Sequence, residues 1–214
     1  MNYCLKNGRL IEPAAGRDCS VDLLVADGKI SRVGPSLAEE AAAAGYEIID
    51  ASPYVVMPGL IDPHCHLGLY EEIYRIEGND ANEFSDPITP ELRAIDGINP
   101  MDDGFADAIK GGVTTVGVCP GSANVIGGTC TALKTYGETF DEMIIEEIVG
   151  LKIALGENPK RVYGEQKKKP MTRMAIASLL RKELARGKYY LDKLAAGKEV
   201  EPDLALEQIA LVLK

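Results

Sequence analysis

The chain has 214 residues, of which 46% are hydrophobic and 26% are charged, a composition typical of a soluble globular protein. Its formal net charge of −10 argues against nucleic acid as the main partner, because phosphate binding needs clustered Lys and Arg side chains. No apolar run approaches the roughly 20 residues that span a bilayer, and no secretory signal begins the chain. A cytoplasmic location without a membrane partner is therefore expected. The five cysteines show no CxxC spacing, which argues against a disulfide framework or a zinc ribbon.

Residues 1–57 are expected to form a small antiparallel β unit. The dipeptides Asn7-Gly8 and Asp27-Gly28 each lie between apolar stretches, and such dipeptides are strong signals for tight hairpin turns. An alanine-rich segment over 36–44 predicts a short helix, and a strand is predicted over 46–50.

Residues 58–214 are expected to form a second part, in which strands alternate with helices. This alternation favours a parallel sheet or a barrel. Residues 69–99 form a long polar connection with little periodicity, and a loop of that length is usually functional. The other segments are predicted as strands at 60–66, 113–118, 130–135 and 148–155, and as helices at 102–110, 170–196 and 202–213.

Both histidines of the chain lie in one motif, Met-Pro-Gly-Leu-Ile-Asp-Pro-His-Cys-His, at the start of the second part. On an extended strand, His64 and His66 point to the same face, so two imidazoles can meet at one metal ion. Asp62 has the same parity, whereas Cys65 faces the other way and is expected to be a small buried residue. A pair of histidines on a strand is by itself more often structural than metal-binding.

The apolar run before Pro-Gly-Leu-Ile-Asp, followed by His-x-His, closely resembles the amidohydrolase superfamily. The resemblance implies an α/β fold: a small N-terminal β-sandwich half over 1–57, then the first part of a (β/α)₈ TIM-type barrel over 58–214. It implies that His64 and His66 bind one or two divalent metal ions, with zinc expected. Within the family, the resemblance suggests a barrel like those of imidazolonepropionase, dihydroorotase and urease.

A third ligand is sought among oxygen donors, because many superfamily members use a carboxylated lysine that bridges two metals. Lys152 lies in Gly-Leu-Lys-Ile-Ala-Leu, apolar on both sides, where a charged amine is costly to bury. The sequence resembles the corresponding strand of urease, and its separation from His66 is similar to that in dihydroorotase and hydantoinase. Two alternatives stay open: an ammonium group in solvent at the strand end, or Glu157 as the ligand, as in N-acetylglucosamine-6-phosphate deacetylases.

Substrate contacts are predicted from two loops. The glycine-rich segment 119–128 lacks both a P-loop and a GxGxxG pattern, which argues against nucleotide binding. Ser122 and Asn124 of this segment are candidate substrate-binding residues, although a turn without any ligand explains the glycines equally well. In the long connection, Tyr70 is the third candidate, with Glu71, Tyr74 and Arg75 also expected to shape specificity.

The resemblance implies hydrolysis of an amide or other C–N bond in a small-molecule substrate by metal-activated water. It places no general base in this chain, because the catalytic Asp is expected on a later strand. The chain is therefore expected to be the N-terminal part of a longer, homo-oligomeric enzyme and inactive by itself. The alternative is a catalytically inactive scaffold, or one half of a split enzyme.

Overall fold

The computed structural model describes residues 2–72 and 75–214, and the predicted specificity residue Tyr74 lies outside these ranges. The chain divides into two compact units, the first ending at Gly59 and the second running from Leu60 to Lys214. The division falls two residues beyond the boundary predicted from the sequence. Among the described residues, no helix combines the length and the apolar character that crossing a membrane requires.

The first unit is one mixed five-stranded sheet with a short helix. The antiparallel prediction is confirmed for three strands, since β1, β2 and β3 pair in that way. It is wrong for β4 and β5, which both pair parallel with β1. The elements are β1 (Tyr3–Glu12), β2 (Arg17–Ala26), β3 (Lys29–Gly34), α1 (Ala38–Ala43), β4 (Glu47–Asp50) and β5 (Val55–Val56).

The two dipeptides predicted as hairpin turns behave differently. Asp27 and Gly28 have φ values of 51° and 73°, as a type I′ turn requires, and they join β2 to β3 as predicted. Asn7-Gly8 is not a turn, because β1 runs straight through it with a register shift between Leu5 and Gly8. The turn between β1 and β2 is instead a 3₁₀ turn over Pro13–Ala15.

A buried carboxylate explains why Asn7 stays inside the strand. The side chain of Asp22, only 4% exposed, accepts a hydrogen bond from the backbone N–H of Asn7 at 2.8 Å. It also accepts from the backbone N–H groups of Leu37 and Ala38, at 2.8 and 3.1 Å. One aspartate thus connects β2, the irregularity in β1 and the start of α1.

The second unit contains a four-stranded sheet in the order β6-β7-β8-β9, with helices and a long connection around it. Most predicted elements are confirmed in position, although α5 falls in a segment for which no helix was predicted. The elements are β6 (Leu60–Cys65), α2 (Ala94–Gly97), α3 (Asp103–Lys110), β7 (Val113–Val118), β8 (Ile126–Lys134), α4 (Phe140–Met143), β9 (Ile144–Ile153), α5 (Glu157–Glu165), α6 (Arg173–Ala195) and α7 (Leu204–Leu211).

The strand directions correct the expectation of a parallel sheet. Only β6 and β7 pair in parallel, whereas β7–β8 and β8–β9 are antiparallel. A parallel crossover takes about a dozen residues or more. The segments between β7 and β8, and between β8 and β9, are shorter than this and therefore return the chain as hairpins. Since direction reverses twice, β6, β7 and β9 all end at the same end of the sheet.

One face of this sheet carries the apolar core. Val116 and Val118 of β7 and Leu133 of β8 are at most 2% exposed and pack with residues from the long connection, α2, α3 and α4. Cys65 is half-buried and packs against the same cluster, as predicted from its parity. Residues of opposite parity on β6 and β7 face the other side, where the candidate site lies.

Candidate metal centre

A lysine and a histidine from distant parts of the chain meet on the non-core face of the sheet. The Nζ atom of Lys152, near the end of β9, lies 3.0 Å from Nε2 of His64, near the end of β6. β6 and β9 are the two outer strands of the four. In a flat sheet they would lie roughly 14 Å apart, which is three strand spacings. The contact indicates that the sheet curves towards the face that carries these side chains.

The second histidine is oriented by the backbone. Nδ1 of His66 lies 2.7 Å from the carbonyl oxygen of Cys119. A carbonyl oxygen only accepts hydrogen bonds, so Nδ1 carries the proton and Nε2 keeps a free lone pair. Histidine ligands of metals are commonly oriented by such a bond from the other ring nitrogen. The rings of His64 and His66 are 5.6 Å apart and nearly perpendicular.

Lys152 is an unusual group for this position. Its side chain is only 9% exposed, and no ion pair to it occurs within the described residues. The positive charge of Lys152, with smaller contributions from burial and from His66, lowers the pKa of His64 below its usual value. The lowered pKa favours a neutral imidazole at His64, which is the protonation state that binds metal ions.

Two thiols also lie on this face. The pKa of Cys119 is held below its usual value, chiefly by a hydrogen bond with the Cys130 thiol. The same hydrogen bond, with burial, raises the pKa of Cys130. The charge of Lys152 acts on both cysteines. This pair was not predicted from the sequence, although two residues at equal distances from a glycine-rich turn between strands are candidates for facing each other.

Asp62, predicted to share the face of the histidines, is half-buried beside them. Its Oδ1 accepts a hydrogen bond from the backbone N–H of His64, two residues further along β6, at 3.1 Å. Its negative charge raises the pKa of His64, but less than Lys152 lowers it.

Glu157, the alternative third ligand, is not brought to the histidines. Its carboxylate is exposed at the start of α5 and forms ion pairs with Lys160 at 2.8 Å and Arg173 at 3.8 Å. These pairs, with the Lys160 hydrogen bond as the main cause, lower the pKa of Glu157. Between the two candidates for the third position, the geometry therefore favours Lys152.

The predicted substrate residues have different environments. Asn124 is 3% exposed; its amide donates to Thr89 Oγ1 at 2.9 Å, and its oxygen accepts from the Tyr163 hydroxyl. These bonds connect the glycine-rich segment to the long connection and to α5 and occupy the side-chain amide of Asn124, while its contact with substrate stays a prediction. Ser122 is half-buried in the same segment, and Tyr70 is 60% exposed.

The donor set fits a divalent metal ion only if the lysine is modified. Within residues 2–72 and 75–214, no cluster of three or more His, Cys, Asp or Glu side chains has the geometry of a metal site. Two neutral imidazoles provide two ligands, and a protonated ammonium group on Lys152 would repel a cation. A carbamate on Nζ changes that positive charge into two oxygen donors, which suits the buried, unpaired position of this lysine.

Three proteins of known name are similar to the chain. An amidohydrolase from Thermotoga maritima MSB8 has a solved structure that superposes with a TM-score of 0.88 at 39% identity, over 99% of this chain and 55% of that one. The amidohydrolase tasK of Hapsidospora irregularis is 35% identical over 165 residues. A dihydroorotase of Citrifermentans bemidjiense is 31% identical over 145 residues. No protein-family model matches the chain.

The two curated relatives match 72% and 68% of this chain, but the chain spans only 17% and 28% of their lengths. The fold agrees with that of the Thermotoga maritima amidohydrolase over 99% of this chain, and the two sequences are 39% identical. The chain belongs to the amidohydrolase superfamily.

Proposed function

We propose that this chain provides one side of the active site of a hydrolase that cleaves an amide or other C–N bond. The observation that supports this most directly is the meeting of Lys152 Nζ with His64 Nε2 at 3.0 Å, next to His66. Relatives named amidohydrolase and dihydroorotase support the same class of reaction. Because the chain covers a minor part of these relatives, the activity is proposed for the protein as a whole.

His64, His66 and a carboxylated Lys152 are the proposed ligands of one or two divalent ions, with zinc as the expected metal. His66 is held for this role by the Cys119 carbonyl, which fixes the proton on Nδ1 and leaves Nε2 free. His64 is kept neutral by the nearby charge before carboxylation. Such an ion supplies Lewis-acid polarisation of a carbonyl group and lowers the pKa of water.

The curvature of the second sheet supports the proposal that Leu60 to Lys214 forms the first part of a (β/α)₈ barrel. Side chains from its outer strands touch across the concave face, as residues inside a closed sheet do. β6, β7 and β9 run in the same direction, and β8 is then an additional antiparallel strand between two barrel strands. The proposed ligands all lie at the carboxyl end of these strands, where barrel enzymes have their active sites.

A small polar substrate suits the surroundings of this face. A cleft of about 480 Å³ is lined by the long connection and by Pro120 and Gly127 of the glycine-rich segment. Gly127 also lies against the Lys152 side chain, because a Cβ atom on it would be 3.6 Å from Lys152 Cγ. One lining residue of the cleft, Gly127, therefore contacts the proposed ligand Lys152, and Ser122 and Tyr70 belong to the two segments that border the cleft without lining it.

Metal binding by single variants tests this proposal. Purified chain is loaded with zinc in bicarbonate buffer, and bound zinc is measured by competition with a coloured chelator. We expect His64→Ala, His66→Ala and Lys152→Ala each to weaken binding by at least tenfold, since each removes a ligand. Glu157→Ala is the matched control and should bind as the wild type does. Addition of ¹³C-bicarbonate should produce a carbamate signal in the wild type that Lys152→Ala lacks.

Equal zinc affinity in the wild type and the double variant His64→Ala/His66→Ala would overturn the ligand assignment. A loss of affinity in Glu157→Ala with none in Lys152→Ala would transfer the third position to Glu157. Far-UV circular dichroism of each variant shows whether a loss of binding reflects a loss of fold.

A further inference from the structure

The register of the β7–β8 hairpin brings two cysteines opposite each other. The paired residues run from Thr115 opposite Lys134 to Val118 opposite Thr131. Continued one residue beyond the end of β7, this register places Cys119 opposite Cys130. On the β8–β9 side, Gly128 pairs with Lys152 and Cys130 with Gly150, so Cys130 and its opposed residue lie on the face of Lys152.

The hydrogen-bond pattern identifies the kind of pair that they form. The Thr135 N–H donates to the Thr114 carbonyl at 3.1 Å, so positions 114 and 135 form a hydrogen-bonded pair. Such pairs alternate with non-hydrogen-bonded ones along an antiparallel ladder, and Cys119–Cys130 has the second parity. Cα atoms in non-hydrogen-bonded pairs lie about 4.5 Å apart, a separation within the range that disulfides span.

We propose that Cys119 and Cys130 are an oxidisable dithiol that closes to a disulfide when the protein meets a peroxide. The proposed oxidation requires neither a bound metal nor the reaction proposed above. Cys119 is half-buried at the end of β7, whereas Cys130 is 6% exposed within β8. The oxidant therefore reaches Cys119 first, and Cys130 is the resolving partner held against it by the hairpin.

The chemistry balances in two steps. The Cys119 sulfur attacks one peroxide oxygen, the O–O bond breaks, and a sulfenic acid and one water form. The Cys130 sulfur then attacks the sulfenic sulfur, the S–O bond breaks, and the hydroxide leaves with the Cys130 proton as a second water. Two thiols lose two electrons in total, and the peroxide gains them. A thiol reductant reverses the product by exchange.

The position gives this modification a local consequence. The carbonyl that orients His66 belongs to Cys119, so a covalent link at this residue ties the orienting group to β8. The other three cysteines differ in position: Cys4 is buried in the first unit and Cys19 is exposed. The Cys65 carbonyl accepts the Cys119 N–H at 3.0 Å, but the Cys65 side chain packs against the apolar cluster on the opposite side of the sheet.

The test is a cysteine map of the 214-residue chain after treatment with hydrogen peroxide. Free thiols are alkylated, and the digest is analysed by mass spectrometry with and without reduction. We expect two of the five thiols to be lost, in one disulfide-linked peptide pair that contains Cys119 and Cys130. Cys19→Ser is the matched control and should form the same pair, because its thiol is exposed and distant in sequence from the hairpin.

Single variants separate the roles of the two thiols. In Cys130→Ser, the sulfenic acid on Cys119 has no partner and should accumulate as an adduct of a 1,3-dione probe. In Cys119→Ser, Cys130 should stay reduced under the same treatment. A trivalent arsenical, which needs two adjacent thiols, should bind the wild type and neither variant.

Complete alkylation of both Cys119 and Cys130 after oxidation would overturn the proposal, as would a disulfide that links either one to another cysteine. If a serine variant fails to fold, the peptide map and the arsenical binding of the wild type decide the question without it.

Discussion

The Nζ atom of Lys152 lies 3.0 Å from Nε2 of His64, and this contact joins the two outer strands of the second sheet. An ammonium group and an imidazolium cannot share this contact, because neither offers a lone pair to the other. One of the two groups must therefore be neutral, and the lowered pKa of His64 indicates that the imidazole is the neutral one.

The first prediction concerns the titration of His64. Replacement of Lys152 by Met removes the largest cause of the lowered pKa, so the pKa of His64 should rise towards the usual value near 6.5. NMR spectra of the imidazole protons measure this directly in bicarbonate-free buffer. The chain has only two histidines, so a His66→Gln variant assigns the signals. Lys160→Met is the control and should leave His64 unchanged.

The same shift predicts the direction of a pH effect on stability. The folded pKa of His64 lies below that of the unfolded chain, so the unfolded chain takes up a proton first as the pH falls. The free energy of unfolding should therefore decrease as the pH falls below about 6.5, until the folded pKa is reached. Lys152→Met should flatten this slope. An unchanged His64 titration in that variant would contradict the electrostatic assignment.

The second prediction concerns Gly117 on β7. A Cβ atom at this position would lie 2.5 Å from the Pro63 carbonyl oxygen, so Gly117→Ala must push β6 away from β7. We expect the variant to lose about 1–3 kcal/mol in urea unfolding and to bind zinc less tightly, because β6 carries His64 and leads directly into His66. Gly150→Ala on β9 is the matched control, since no atom lies within 4 Å of its Cβ position. Equal stability of the two variants would contradict the close approach of the strands.

The third prediction tests the structural role of Asn124. Tyr163 is fully buried, burial raises its pKa to about 12, and its hydroxyl donates to the Asn124 oxygen. Tyr163→Phe leaves that oxygen without its partner and should cost about 1–3 kcal/mol in the free energy of unfolding. Tyr136→Phe, at a side chain 68% exposed, should change stability by less than about 0.5 kcal/mol. A Tyr163→Phe protein as stable as wild type would return Asn124 to the candidate substrate contacts.

The fourth prediction concerns Asp22 in the first unit. Asp22→Ala removes the acceptor of three backbone N–H groups, so it should cost about 2–3 kcal/mol. Asp18→Ala, which breaks the exposed ion pair with Arg9, should have little effect. Chemical denaturation of both variants provides the comparison. If Asp18→Ala were the more harmful change, the account of this unit would be wrong.

Local sequence patterns predicted those features of the fold that depend on neighbours in the chain. The strand at 113–118 and the turn at Asp27-Gly28 are confirmed, since β-branched runs and asparagine- or aspartate-glycine pairs act over a few residues. Asn7-Gly8 carries the same turn signal, but Asp22 and Val56 hold it inside a strand. These two partners lie far along the sequence, so a local pattern could not reveal them.

In the candidate site, too, features set by nearby residues were predicted and those set by distant partners were not. His64 and His66 were predicted from their spacing together with the family resemblance, and Lys152 from the resemblance and its apolar neighbours. The structure places Lys152 Nζ beside His64 Nε2, and the ligand roles stay predictions. The burial of Asn124 was not predicted, because a polar residue in a glycine-rich segment carries no sign of its contact with α5, and its role in substrate binding stays a prediction. That helix was itself missed, because Gly156, Asn158, Pro159 and Gly164 are poor helix formers and Tyr163 anchors it through a buried contact.

The bond between His66 and the Cys119 carbonyl has a consequence for how the protein can change. The acceptor atom is part of the main chain, so it is present whichever amino acid occupies position 119. A mutational scan would therefore undervalue this position, since side-chain replacement leaves the orienting group in place. Replacement of Pro120 by an α-hydroxy acid converts this carbonyl to a weaker ester acceptor, and comparison with Pro120→Ala, which also lacks the ring, would measure its contribution. The orientation of His66 thus depends partly on the course of the backbone at position 119, which replacement of that side chain does not remove.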